Sequence, residues 1–175
     1  MRTYLLALAF LTLAALGAVA QTPLTAADKK TVVTKAKAVQ KAFETGDVKT
    51  IINSTHPSVV QFFGSQENFE KTTRQAVIDL AGEVKFEKTV YGEPSVSYAA
   101  GEEIVCFVPR TSIIAVKKKR VKSVSFLIAV RKKDGADWFF LDSASLREDP
   151  SKLWVLFPEL PRDVALPPNT AEVLP

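Results

Sequence analysis

Hydrophobic periodicity changes once along this chain, near Gly82. Before that glycine, apolar residues recur at helical spacing; after it, they alternate along strand-like runs. A single change of this kind argues against the repeating strand–helix–strand order of a parallel α/β sheet. It predicts an α+β fold, with N-terminal helices packed on an antiparallel sheet made from the later strands.

The helical part has clear punctuation. Thr25-Ala-Ala-Asp28 reads as an N-cap with an acid at the third helical position. Val32, Ala36, Val39 and Phe43 then form a core stripe, and Lys30, Lys35, Lys37 and Lys41 take other faces. Gly46 suits the helix end. Asp47 caps a short second helix with Val48, Ile51 and Ile52 on its buried side, and Pro57 stops it at His56. Ser65 caps a third helix carrying Phe69, Thr73, Ala76, Val77 and Leu80, ended by Gly82.

Strands follow. Val84, Phe86 and Val90 alternate with polar residues, and Val96 and Tyr98 continue after the break at Gly92-Glu-Pro94. Ile104 to Val116 is apolar on both faces and contains Pro109, which implies an edge or a bulge. Val121 to Val130 returns across a basic turn, Asp134-Gly135 marks a hairpin, and Trp138 to Asp142 is the last strand. Ser151 to Leu156 forms a short helix. The domain is expected to span 21–157, with 158–175 a tail rich in proline and leucine whose Leu160, with Trp154 and Phe157, packs back on the domain.

Residues 1–20 read as a secretory signal peptide. Arg2 supplies the positive start, Leu5 to Leu16 is apolar except for Thr12, and Ala18-Val19-Ala20 is a small-x-small cleavage site. The apolar run is shorter than the ~20 residues a membrane span needs. An exported chain, periplasmic or extracellular, is expected. Removing Arg2 takes Lys+Arg from 23 to 22 against 19 Asp+Glu, so the formal charge falls from +4 to +3. That mild excess is no signature of a nucleic-acid partner. The single cysteine, Cys106, allows no intramolecular disulfide, so stability rests on the core.

The stretch Phe43 to Gly64, with its cap at Asp47 and its His56-Pro57 break, resembles the nuclear transport factor 2-like superfamily. So does the W-x-F-x-D ending Trp138 to Asp142. The resemblance covers most of Gln21 to Asp142. It implies a cone: N-terminal helices over a strongly bent antiparallel sheet, enclosing a pocket. It implies a small apolar or amphipathic ligand, or a peptide, held in that cone. Enzymes resembling this fold, such as ketosteroid isomerase and scytalone dehydratase, instead place Asp, His or Tyr inside it.

No G-x-S-x-G, H-E-x-x-H, P-loop, C-x-x-C or dinucleotide fingerprint occurs. One histidine and one cysteine cannot make a typical zinc site within one chain, and no cofactor is expected. His56 and Asp142 are the candidate catalytic or ligand-binding residues. His56 alone has an ordinary pKa near neutrality, and it reads either as a base at the cone or as a residue serving a helix terminus. Asp142, beside Trp138 and Phe140, reads either as an acid–base group or as a cap of the turn into Ser143-Ala-Ser145. Tyr91, Tyr98 and Arg110 are second partners by residue type alone. Cys106 reads as a buried thiol.

Two basic clusters, Lys117-Lys-Lys-Arg120 with Lys122 and Arg131-Lys-Lys133, flank a ten-residue strand and lie roughly 30 Å apart. They make no single footprint, and neither carries the aromatic residues of a single-strand binder. Contact with anionic envelope polymers or lipid headgroups stays open. Because the strands at 104–116 and 121–130 carry apolar residues on both faces, a homodimer through the sheet is the expected cover for the second face, unless the tail supplies it.

Overall fold

The computed structural model describes residues 21–117 and 119–175; the signal peptide expected at 1–20 lies outside the described residues. The elements run β1 (Gln21–Thr22), α1 (Ala26–Thr45), α2 (Val48–Ser54), α3 (Pro57–Phe62), α4 (Gln66–Glu83), β2 (Val84–Tyr91), β3 (Ser97–Ala100), β4 (Glu103–Val116), β5 (Lys119–Lys132) and β6 (Phe139–Asp142). A 3-10 turn (Ser143–Leu146), α5 (Lys152–Leu156) and β7 (Thr170–Leu174) close the chain. Helices precede an antiparallel sheet, so the architecture is α+β.

Local chemistry sets the helix ends. The Asp28 N–H donates to the Thr25 hydroxyl at 3.0 Å. Gly46 ends α1 at φ 73°, a left-handed conformation that costs glycine nothing, and its N–H returns to the Ala42 carbonyl. Asp47 at once caps α2 by accepting from Thr50 N at 3.1 Å, and Ser65 caps α4 through Asn68 N. Two boundaries differ from the sequence reading. Pro57 stops α2 but also occupies the first position of a short extra helix, α3, where its missing N–H is harmless. And α4 passes through Gly82 to Glu83, leading straight into β2.

The sheet has seven strands, all paired antiparallel. The long hairpin β4–β5 is its spine, in unbroken register from Glu103↔Lys132 to Val116↔Lys119. Short strands share each outer edge. Along β4, β3 pairs at Glu103–Val105 and β2 at Arg110–Val116. Along β5, β6 pairs at Leu127–Val130 and β7 at Arg120–Val124. Pro109 falls at the handover from β3 to β2. Its carbonyl accepts from Gly92 N at 2.8 Å on that outer side, so its absent N–H also points there, into the gap between the two strands. The proline therefore needs no bulge in β4. The irregularity lies in β2, between Phe86 and Lys88.

Both faces of the spine are apolar, and each has a cover. Val32, Ala36 and Val39 of α1 pack on Cys106, Val108, Leu127, Ala129, Trp138 and Phe140. On the reverse face Val105, Phe107, Phe126, Ile128 and Val130 meet Leu146, Leu153, Phe157, Leu160 and Val164. The chain's own C-terminal segment thus covers the face for which a partner copy was expected. The Trp154 indole N–H donates to the Pro161 carbonyl at 3.0 Å, and β7 then joins the sheet. The remaining helices form a smaller cluster in which Val77 of α4 meets Ala42, Val48 and Ile51.

Truncation after Asp149 removes Leu153, Phe157, Leu160 and Val164 from the reverse-face core. The truncated chain is expected to lose its cooperative thermal transition or to melt far below the full chain. Phe157→Ala alone should cost about 3–5 kcal/mol by urea denaturation. An unchanged melting temperature in either variant would contradict this packing.

Candidate functional site

His56 sits at the N-cap of α3, between the Thr55 end of α2 and Pro57. Its ring is buried, with Phe157 at 5.4 Å and Phe139 at 6.1 Å between centroids. Nδ1 lies 2.8 Å from the Ser58 hydroxyl and accepts from the Ser58 N–H at 3.3 Å. Nε2 lies 2.9 Å from Glu103 Oε1. A backbone N–H can only donate, so Nδ1 carries a lone pair and the ring proton belongs on Nε2, directed at Glu103. His56 therefore serves a helix start, where the sequence placed it at a helix end.

Asp142 ends β6 and does two things. One carboxylate oxygen accepts from Ala144 N at 2.8 Å, capping the 3-10 turn. The other pairs with the Arg110 guanidinium. Arg110 also donates through Nε to the Ser125 hydroxyl at 3.0 Å and through Nη1 to Gln40 Oε1 at 3.3 Å. Its side chain is 14% exposed, against 44% for Asp142. Tyr91 stands directly across the β2–β4 ladder from Arg110, and its hydroxyl donates to the Ala36 carbonyl at 3.3 Å. Burial pushes the Tyr91 phenol up, with the Arg110 charge partly opposing it.

Of the sequence candidates, Asp142, Arg110 and Tyr91 thus meet in one polar cluster between α1 and the sheet. Tyr98 does not join them; it packs on Phe107 in the reverse-face core. His56 is also apart. Its partner Glu103 shares a strand face with Val105 and Phe107, whereas Arg110 shares the opposite face with Cys106 and Val108. Four participants were not singled out from sequence. Gln40 and Ser125 leave a signal, as polar residues at apolar positions of a helix stripe and a strand. Ser58 is local to His56, two positions on in the same turn, whereas Glu103 leaves no signal, because nothing local links it to His56, 47 positions earlier.

A cleft of about 440 Å³ opens where α1 and α2 face β6. Trp138, Phe139 and Phe140 line it together with Lys35, Ala38, Asn53, Ser54 and Asp137, and Lys35 Nζ lies 3.3 Å from Asp137 Oδ1. A smaller groove of about 200 Å³ lies over Val90, Pro109, Thr111 and Val124, beside Pro167 and Pro168.

Part of each basic cluster is paired. Arg120 pairs with Glu87 at 2.8 Å and Lys122 with Glu172 at 3.0 Å. Arg131 donates to the Gly135 carbonyl at 2.7 Å and lies 5.2 Å over the Trp138 ring, so it stiffens the β5–β6 turn. Among the described residues no helix is long and apolar enough to cross a membrane.

Cys106 is fully buried, and desolvation pushes its thiol up to about 12. The unfolded thiol ionises near its ordinary value while the folded one stays protonated. The unfolded chain then binds fewer protons, so stability is lost as pH rises from about 9 toward 12. In urea titrations between pH 8 and 10.5 the wild type should lose stability faster than Cys106→Ala. Parallel pH profiles would refute this. For the polar cluster, Arg110→Met is expected to cost about 1–3 kcal/mol by leaving Gln40, Ser125 and Asp142 without their donor. Asp142→Asn should cost about 1 kcal/mol. The double variant should fall short of the sum, since the two residues share one bond; strict additivity would show that the pair contributes nothing.

No family model, curated protein or solved structure matches this chain.

Proposed function

We propose that the protein is an exported binding module of the nuclear transport factor 2-like type, holding a small amphipathic ligand between its N-terminal helices and its sheet. The observation that carries this reading is the cleft beside β6. Its volume of about 440 Å³ falls in the range of small-molecule sites. Trp138, Phe139 and Phe140 offer an apolar wall, and Lys35, Asn53, Ser54 and Asp137 offer polar groups that would orient a headgroup. The order of elements, helices before an antiparallel sheet, supports the superfamily reading and its cone.

Binding is favoured over acid–base turnover in the cone by the state of the polar cluster. Arg110 is engaged by Gln40, Ser125 and Asp142, and Asp142 is further engaged as a cap. Tyr91 donates into a helix carbonyl. These groups already satisfy one another, so they act as a brace between α1, β4, β5 and β6. Export is supported by the leader pattern at 1–20.

A single-chain amphiphile such as decanoate, titrated into the mature chain, is expected to quench tryptophan emission saturably at micromolar to millimolar concentration. Ala38 is exposed at the cleft. Ala38→Trp should therefore obstruct the cleft and weaken binding at least tenfold without lowering the melting temperature. Binding that is unaffected by Ala38→Trp would remove the cleft from the reading. Exported protein should begin at Gln21 by intact mass, and retention of the leader would sink the export assignment.

A further inference from the structure

We propose that Ser58, His56 and Glu103 form a nucleophilic site that cleaves small esters by acyl transfer to Ser58. The arrangement has the three parts such chemistry needs: a nucleophile against a base, and the base oriented by a third group. The Ser58 hydroxyl lies 2.8 Å from His56 Nδ1, and His56 Nε2 lies 2.9 Å from Glu103 Oε1. The bond from Ser58 N–H holds Nδ1 as the lone-pair nitrogen, the form a base requires. Compared with the familiar serine triad, the two ring nitrogens exchange places; each can carry out either role.

The base is the most enclosed of the three residues. The His56 side chain is 8% exposed, between the Phe139 and Phe157 rings, while Glu103 is 28% exposed and Ser58 is half-buried. The nucleophile is not enclosed, and the base is shielded by the two rings. Among the described residues no other hydrogen bond uses the hydroxyl of Ser58: the N-cap of α3 is made by its backbone N–H.

The reaction balances with water as the only co-reactant. Ser58 Oγ attacks the ester carbonyl as its proton passes to Nδ1, which gives up its bond from the Ser58 N–H while it is protonated. The tetrahedral intermediate collapses, the C–O bond to the leaving group breaks, and the departing alkoxide takes the proton from Nδ1. Water then attacks the acyl-serine, giving its proton to Nδ1, which returns it to Ser58 as the acid leaves. Glu103 is a positioning residue: it holds the Nε2–H and faces the charge that develops on the ring. The site shares Phe139 with the cleft beside β6, but Ser58, His56 and Glu103 themselves lie outside the cleft lining.

The test uses the mature chain with p-nitrophenyl acetate and with a fluorophosphonate probe. Peptide mass spectrometry is expected to place the phosphonate on Ser58, and Ser58→Ala should abolish both labelling and hydrolysis. That substitution keeps the backbone N–H cap, so its melting temperature should stay near wild type. His56→Gln should slow labelling about a hundredfold or more. Glu103→Gln should slow it about tenfold in protein that still melts cooperatively, with Glu103→Asp recovering part of the rate. A chain that is not labelled at Ser58, or a Ser58→Ala variant that hydrolyses the ester at the wild-type rate, would overturn the proposal.

Discussion

The hairpin β4–β5 has no polar face at its centre. Cys106 and Val108 point one way and Val105 and Phe107 the other, and Leu127, Ala129, Phe126 and Ile128 repeat the pattern on the returning strand. A two-faced apolar ribbon in water needs two covers. One is α1. The other is the stretch from Leu146 through Val164, whose regular structure is the end of the 3-10 turn and the short helix α5. The rest of the architecture follows from this demand. The short edge strands split each side of the hairpin between them, and Pro109 is tolerated because it falls where one edge strand hands over to the next.

The two polar networks lie on opposite sides of that ribbon. Arg110 stitches α1, β4, β5 and β6 together on the helix side. Its burial is tolerable because each guanidinium nitrogen meets an acceptor; a desolvated cation with fewer partners would be costly. His56 joins α3 to the start of β4 on the other side. The separation has a functional consequence. The histidine and the aspartate cannot serve as one acid–base pair, so chemistry at His56 must draw on Ser58 and Glu103, and chemistry at Asp142 on Arg110 and Tyr91.

Much of the fold was legible in the residues. Caps at Thr25, Asp47 and Ser65, the glycine stop at Gly46 and the alternation after Gly82 act through neighbours a few positions apart, so the chain displays them directly. The strand at Thr170–Leu174 was hidden, because nothing in its five residues distinguishes it from a proline-flanked tail; β5 makes it a strand by offering an unpaired edge. The site was less legible. Asp142 as a cap could be read from the turn that follows it, but its pairing with Arg110, 32 positions earlier, could not.

The sequence by itself determined that the main helices precede the main strands, the two apolar faces of the central hairpin and the residue types able to titrate, since each depends on spacing along one segment. Only the tertiary structure decided that the C-terminal segment covers the second face, that Arg110 gathers Gln40, Ser125 and Asp142, and that His56 lies between Ser58 and Glu103. The physical reason is that side chains on different strands and helices meet through register and packing. One residue of slip along β4 would turn Arg110 to the other face and dissolve the cluster, yet leave the composition of every segment unchanged.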